Sequence, residues 1–408
     1  MIYEPMGKMY SKVVNMLVFV FPIVIISLQV AGDLVLLILA MMGIYVAISQ
    51  KLSPFTIKEI KVFSYLTIGY FTAVCLSVLF SGQMAELAHY IPRDFHFLFA
   101  PFIALSLYKA EINRNYLILG AKISLLLIGG IVIYFGGGRN TGVMNAGVFG
   151  NLSVMLFFIV LAFSFSQHEA LKHKVFSFIA LLFGFVAIVG SGTRGAWLSF
   201  LLLLCVYLYF VFKQQNKLFT RSKIITVLII ASLLSFGSLN KHVNDRTYAA
   251  YTQIDNWLSG DTTPSSVGIR LDMYDKAIAN IKNVPFFGHG YRTSNIVIFQ
   301  NDSSAMGRIS VGFNHLHNAY LTNYYNGGIV LLSALLLLLF APFILFLKAN
   351  SQNHTNPVFI AGVLLTVGYA SFGMVNILLG DTYMNGFYAF YLAIFMLLYA
   401  QSVKKSST

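Results

Sequence analysis

Charged side chains are scarce in this sequence. Lysine, arginine, aspartate and glutamate make up 10% of its 408 residues, against about 25% in a typical soluble domain. Hydrophobic residues make up 58%, and the mean hydropathy is +0.76. This balance excludes an ordinary soluble globular protein. Repeated apolar runs instead predict an all-α integral membrane protein that forms one helical bundle.

Cysteine is nearly absent as well. Cys75 and Cys205 both lie in apolar runs, which excludes a disulfide framework and leaves no thiol pattern for metal or redox chemistry. The sequence also lacks a paired-carboxylate motif, a P-loop, a Gly-x-Ser-x-Gly elbow and a dinucleotide fingerprint. We therefore expect no cofactor.

The apolar runs predict about twelve membrane spans. Several approach the ~20 residues that a bilayer core requires, and others are shorter. The first run has no small-residue cleavage site after it, which predicts a retained span and not a signal peptide. The predicted spans cover residues 12–30, 34–49, 63–81, 95–109, 116–135, 147–166, 175–191, 196–212, 224–239, 328–347, 358–379 and 385–401.

Positive charge is distributed unevenly among the loops between these spans. One set of loops, with the two termini, carries 17 lysines and arginines, whereas the opposite short loops carry only Arg93, Arg139 and Arg194. By the positive-inside rule, both termini are predicted to be cytoplasmic. The net charge of +13 is then mainly an orientation signal that also favours anionic membrane lipids. Nucleic-acid binding is not needed to explain it.

One loop on the predicted outer face is far longer than the others. It runs from Asn240 to Asn314, and loops of this length usually carry function or structure of their own. The pattern of Asp272–Asn283 predicts a helix, with Met273, Ala277, Ile278 and Ile281 on one side, that ends before Pro285. We divide the chain into spans 1–9 (residues 1–239), a large outer loop with short helices and a histidine motif (240–327), and spans 10–12 with a cytoplasmic tail (328–408).

Two arginines on the outer side are candidates for anion binding. Arg194 stands in SGTRGAW (191–197) at the end of a span, where the glycines let a ligand approach the backbone closely. Arg270 lies at or near the start of the predicted loop helix, where backbone N–H groups and a guanidinium can share phosphate oxygens. The structural alternatives are a snorkelling Arg194 and a surface ion pair of Arg270 with Asp272 or Asp275.

The densest cluster of hydrogen-bonding side chains is NHLHN, at 314–318. His315 and His317 are candidates for a general base or a hydrogen-bond donor near neutral pH, and the flanking Asn314 and Asn318 could orient a ring. A metal site would need a third ligand, and none stands nearby at a typical spacing. The remaining alternative is a structural cap on the next span. Spacing favours neither histidine as the one that reacts.

Two further residues on the same predicted face are weaker candidates. Arg139 follows three glycines, a turn that can hold an anion. Asp381, in the last outer loop, is a second candidate base or a partner for an arginine. An outer site rich in arginine and histidine and poor in carboxylates suits a multiply charged anion near the membrane. A lipid-linked pyrophosphate fits it better than a soluble ligand does.

Three segments resemble the signature regions of the bacterial O-antigen ligase family. They are SGTRGAWLS at 191–199, SVGIRLDMY at 266–274 and NHLHNAYLTNYYNGG at 314–328. The last one contains an H-N-x9-G pattern, in His317, Asn318 and Gly328. The layout of twelve spans, with one long outer loop between the ninth and the tenth, is also similar to that of the family.

This resemblance implies a metal-independent, inverting membrane glycosyltransferase of the GT-C type in the bacterial inner membrane. It would transfer an O-antigen glycan from undecaprenyl pyrophosphate to a core sugar of lipid A-core at the periplasmic face. As catalytic residues, Arg194 and Arg270 would bind the pyrophosphate and stabilise the leaving group, and His317 would activate the acceptor hydroxyl. The substrate-binding candidates are His315, Asn318, Arg139, Tyr274 and Asp381.

Other functions stay open at this point. An O-antigen polymerase, or an oligosaccharyltransferase with a protein acceptor, would use the same kind of donor, and only family likeness in the HLHN form favours the ligase. A transporter is less favoured, because a transport site should lie near the bilayer midplane. Apart from Lys122 near one inner end, the sequence places no ionised residue deep in a span.

Overall fold

The structure of the protein, a computed structural model, describes residues 6–83, 88, 91–136, 144–164, 171–213, 241–352, 356–376 and 378–406. These residues form helices and connecting segments, with no β-strand among them. Eight α-helices precede the long loop within these ranges. They are α1 (Lys8–Ser27), α2 (Gln29–Ser49), α3 (Lys61–Phe80), α4 (Phe95–Tyr108), α5 (Arg114–Tyr134), α6 (Ala146–Ser164), α7 (Leu171–Gly190) and α8 (Arg194–Lys213).

The long loop is itself helical, and three more apolar helices or half-helices follow it. A short 3₁₀ turn, Ile91–Asp94, precedes α4, and another lies in the long loop at Ile281–Asn283. The remaining helices are α9 (Lys241–Leu258), α10 (Gly268–Ala279), α11 (Ser294–Phe299), α12 (Ala305–Val311), α13 (Ala319–Gln352), α14 (Pro357–Gly373) and α15 (Thr382–Ser406).

Nine of the described helices are long and apolar enough to cross a membrane. These nine are α1, α2, α3, α5, α6, α7, α8, α13 and α15. Two shorter apolar helices, α4 with 14 residues and α14 with 17, complete the bundle within the described ranges. The prediction of an all-α, multi-span membrane protein is confirmed. Eleven of the predicted spans fall on these helices, and the ninth, residues 224–239, lies outside the described residues.

Glycine lets several of these helices approach one another backbone to backbone. A Cβ on Gly43 of α2 would stand 1.8 Å from the carbonyl oxygen of Phe102 in α4, and a Cβ on Gly120 of α5 would stand 2.2 Å from that of Phe19 in α1. Close packing of this kind is how helices associate in lipid, where the hydrophobic effect between them is weak.

Helix α13 is broken where the loop joins the span. Gly327 (φ −129°, ψ 17°) and Gly328 (φ 60°, ψ −157°) depart from helical geometry, so the first half of α13 belongs to the loop and the second half runs on as the apolar span. Hydrogen bonds satisfy the carbonyl groups that the break releases. The Asn326 oxygen accepts from Gly290 N (2.9 Å) and Ser77 Oγ (2.6 Å), and the Tyr325 oxygen accepts from His289 N (2.8 Å).

Helix α10 differs in detail from the helix predicted in the loop. It begins at Gly268, four residues before the predicted start, and ends at Ala279. Met273 and Ala277 are fully buried in a small second core, as the pattern predicts. Ile278, predicted to share their face, is 59% exposed, because the buried stripe of this short helix is narrower than the apolar pattern suggested. This second core is completed by Phe299, Leu316 and Tyr325.

We predict that Gly328→Ala destabilises the protein. A Cβ at this position would stand 1.9 Å from the carbonyl oxygen of Phe286, and φ is positive; positive φ alone costs of the order of 1–3 kcal/mol in a non-glycine residue. Thermal unfolding of the purified protein in detergent measures the effect. The control is Gly69→Ala in α3, where a Cβ meets nothing within 4 Å. Equal melting temperatures for the two variants would contradict the prediction.

Candidate active site

Arg194 is the first residue of α8, directly after a tight turn. In this turn Thr193 N donates to Ser191 Oγ (3.2 Å), and Thr193 Oγ1 donates to Ala146 O (2.9 Å) at the start of α6. The half-buried guanidinium of Arg194 donates from Nη2 to Ser266 Oγ at 2.7 Å. The start of α8 is thereby joined to the start of α10. We call this end of the molecule, where α6 and α8 begin and residues 241–318 lie, the loop end.

Arg270 lies in the first turn of α10, four residues after the serine that binds Arg194. The turn is capped, since Gly268 N donates to Ser265 Oγ at 3.0 Å. The Arg270 charge lowers the pKa of His315 and of His317. Tyr274, one turn further along α10, donates to His317 O at 2.8 Å, so this helix packs against the histidine segment. Asp272, considered above as an ion-pair partner for Arg270, binds Lys276 Nζ at 3.0 Å.

A third arginine, Arg246 of α9, lies beside Arg194. The sequence did not predict it as a site residue. Its carbonyl oxygen accepts from Arg194 Nη1 (3.4 Å), and its Nη2 donates to Gly192 O (3.2 Å). No motif surrounds it in the sequence. The available signal was the helical pattern of 241–258, with Val243 and Arg246 on one side of a helix that packs on the loop end.

The two histidines stand side by side in the segment before α13. Their ring centroids are 4.4 Å apart, and the Phe313 ring lies 5.0 Å from that of His317. The backbone at His317 has an uncommon conformation, with φ +52°. Two bonds fix it: Tyr274 Oη donates to His317 O (2.8 Å), and Leu316 N donates to Thr322 Oγ1 (3.0 Å).

Burial keeps both rings neutral at neutral pH. It lowers the pKa of His315 to about 4, with a further contribution from Arg270. Burial also lowers the pKa of His317 to about 3. His315 and Arg270 lower this pKa further, whereas Asn376 raises it. His315 Nε2 and His317 Nδ1 are buried and have no hydrogen-bond partner among the described residues. The pair therefore offers proton acceptors beside a guanidinium group.

Asn318 and Tyr274 support the backbone around His317. Asn318 Oδ1 caps α13 by accepting from Tyr320 N and Leu321 N, each at 3.0 Å, and its Nδ2 donates to Met374 O (3.4 Å). Tyr274 Oη, besides its bond to His317, reaches the same Met374 oxygen at 3.5 Å. Both side chains thus join the histidine segment to the residues that follow α14.

The other two sequence candidates are Asp381 and Arg139. Asp381 caps α15 through Met384 N (3.2 Å). Burial raises the pKa of Asp381, and the charges of Arg93 and His96 lower it. Asn385 N donates to Asp381 O, and the side chain of Asn385 donates to Asp94 Oδ1 at 2.9 Å, so Asp381 lies near the start of α4. Arg139 falls in residues 137–143, outside the described part of the chain.

The fold and this site together define a multi-pass helical membrane protein with arginines and neutral histidines gathered at one end of its bundle. Comparison with known families adds a match over part of the chain. Residues 179–336 match the family model for O-antigen ligase, which confirms the resemblance stated from the motifs. The matched region contains Arg194, Arg270, both histidines and Gly328. Members of this family are glycosyltransferase-like ligases, which supports a transferase activity for the chain.

A relative resembles the chain over most of its length. An uncharacterised protein of Haemophilus influenzae is 26% identical over 383 residues, which cover 89% of this chain and 92% of the relative. The likeness therefore extends through the helices before and after the family match.

The low pKa values of the histidines predict that acid destabilises the fold. Unfolded histidine binds a proton near pH 6.5, whereas His315 and His317 in the folded protein bind one only near pH 4 and pH 3. Between these values the unfolded chain holds more protons, so stability falls as the pH falls. Melting temperatures between pH 7.5 and 4.5 should fall less steeply in a His315→Gln/His317→Gln double variant. The exposed His173→Gln variant serves as the control and should follow the unmodified protein.

Proposed function

We propose that this protein is an O-antigen ligase that transfers a glycan from undecaprenyl pyrophosphate to a core sugar of lipid A-core. The observation that carries the proposal is that α10 and the turn before it contact Arg194 through Ser266 and the histidine segment through Tyr274, with Arg270 between these two contacts. These are an anion site and a proton acceptor side by side. We further propose twelve spans, a GT-C type of fold and a location in the bacterial inner membrane.

The arginines suit the pyrophosphate of the donor. Arg194 opens α8 and Arg270 stands in the first turn of α10, so each guanidinium lies near the positive end of a helix dipole, which also favours an anion. As the bond to the sugar breaks, negative charge grows on the departing pyrophosphate. Donors already in place stabilise this charge without reorganising, and the loss of one such donor commonly costs ~10²–10³ in rate.

His317 suits the activation of the acceptor. Its neutral ring can accept the proton of a sugar hydroxyl while that oxygen attacks the anomeric carbon from the side opposite to the pyrophosphate. The new C–O bond forms, the bond to the pyrophosphate oxygen breaks with its electron pair, and the configuration inverts. The proton stays on the histidine until solvent removes it. The negative charge of the bound donor favours protonation and so offsets the effect of Arg270 on the ring.

The distribution of charge supports a periplasmic site with both termini in the cytoplasm. The short loops at the loop end hold few positive charges. In the twelve-span scheme, the opposite end of the bundle holds many, among them Lys8, Lys51, Lys172 and Lys348. A lipid-linked donor would present its pyrophosphate at the membrane surface, the depth at which α8 begins. Arg194 and Arg270 stand at helix starts and not at mid-span, which argues against a midplane transport site.

Transfer to a defined acceptor tests the proposal. Purified protein is incubated, with EDTA present, with an undecaprenyl-pyrophosphate-linked glycan and lipid A-core. We expect glycan on lipid A-core, and the same yield without EDTA because arginines neutralise the leaving group. Longer lipid-linked chains with no transfer to the core would instead make the protein a polymerase. Transfer to a protein acceptor alone would make it an oligosaccharyltransferase.

We predict that Arg270→Ala lowers the transfer rate by ~10²–10³, because one preorganised donor to the leaving group is lost. The matched control is Arg308→Ala. Arg308 belongs to the same loop, and its Nη1 donates to Ser303 O at 2.7 Å on the exposed face of α12. Rates are compared at equal amounts of folded protein. A rate for Arg270→Ala within a few-fold of the control would remove Arg270 from the site.

A further inference from the structure

Helix α9 contacts both of the segments that carry the candidate arginines. Arg246 of this helix donates from Nη2 to Gly192 O at 3.2 Å, in the turn that precedes α8. Two turns further along α9, the side chain of Gln253 contacts Ser266 and Val267, just before α10. Residues seven apart lie on the same face of a helix. One face of α9 therefore joins the start of α8 to the start of α10.

The backbone of α10 decides which end of the Gln253 amide faces it. Val267 directly precedes α10, and its N–H donates to Gln253 Oε1 at 3.3 Å. A backbone N–H can only donate, so an amide nitrogen in this place would set a donor against a donor. The oxygen of the Gln253 side chain is thereby directed to the start of α10.

The Ser266 hydroxyl lies between this oxygen and Arg194. Its Oγ donates to Gln253 Oε1 at 3.2 Å and accepts from Arg194 Nη2 at 2.7 Å. A hydroxyl has one proton and two lone pairs, and a guanidinium can only donate. Because the Ser266 proton is directed to Gln253, a lone pair of Oγ is left for Arg194. Each hydrogen bond in this series thus sets the direction of the next.

We propose that Gln253 is a positioning residue, whose amide oxygen directs the Ser266 hydroxyl to Arg194. The same oxygen holds the start of α10 at Val267 N, three residues before Arg270. Its effect on the rate rests on the proposed function, whereas its hydrogen bonds to the two segments do not. Without this oxygen the Ser266 hydroxyl is free to rotate, and the Arg194 guanidinium loses an acceptor that is fixed before the pyrophosphate binds.

Gln253→Leu tests the proposal, because it keeps the approximate size of the side chain and removes both acceptor bonds. We expect kcat for glycan transfer to fall by about 10-fold or more, the scale of one hydrogen bond to a charged group. The KM for lipid A-core should stay unchanged, because the arginines act on the donor. Kinetics are measured at equal amounts of folded protein.

Thr252→Val is the matched control in the same helix. It removes the hydrogen bond from Thr252 Oγ1 to Tyr248 O (3.2 Å), on the exposed surface of α9. We expect unchanged kinetics. Unmodified kcat in folded Gln253→Leu, or an equal loss in Thr252→Val, would overturn the proposal.

A double-mutant cycle separates positioning from a general loss of stability. If Gln253 acts through Ser266, then Gln253→Leu should change kcat little in a Ser266→Ala background, because the hydroxyl that it directs is already absent. The combined loss should stay close to the larger of the two single losses. Two losses that simply multiply would contradict a role through Ser266.

The hydrogen bonds of Gln253 can also be tested without any substrate. Hydrogen exchange at the Val267 amide should be faster in Gln253→Leu than in Thr252→Val, because this N–H loses its acceptor. Equal exchange in the two variants would refute the inference by itself. Faster exchange, together with no glycan transfer by the unmodified protein, would refute the proposed function and leave the positioning role of Gln253 intact.

Discussion

The hydrogen bond from Arg194 to Ser266 is the interaction on which the rest of the site depends. It joins a bundle helix to a loop helix, and Arg270 follows only four residues after this serine. Ser266 and the carbonyl oxygen of Arg246 fix the Arg194 guanidinium in place. Donors that are fixed before an anion binds need no reorganisation when charge develops on it.

The sequence predicts those features of the structure that a local residue pattern encodes. Apolar runs predicted the helices of the bundle, and the motifs around Arg194, Arg270 and His317 predicted which residues to examine at its end. Arg246 could not be predicted in this way. It contacts Gly192 and Arg194 across more than 50 residues of chain, and a single arginine has no periodicity that marks it. Asp381 shows the same limit, since its outer-loop position could not tell which charges would surround it.

The histidine pair is organised without a carboxylate among its described contacts. Burial, an arginine and an amide surround His317, so the ring stays neutral until a substrate changes its surroundings. A nearby carboxylate would raise the affinity of the ring for protons, but it would also bring negative charge close to a pyrophosphate. Without a carboxylate among these groups, His317 can accept a proton and the site can still bind an anion.

The break in α13 also separates the histidine segment from changes in the surrounding bilayer. Spans tilt as membrane thickness changes, at a modest cost per ångström. The half of α13 before Gly327 is fastened to residues 289–290 and to Ser77 of α3, whereas the half after Gly328 faces the lipid with Ile329 and Leu337. A tilt of the lipid-facing half can be absorbed at the two glycines, so that His317 keeps its place in membranes of different thickness.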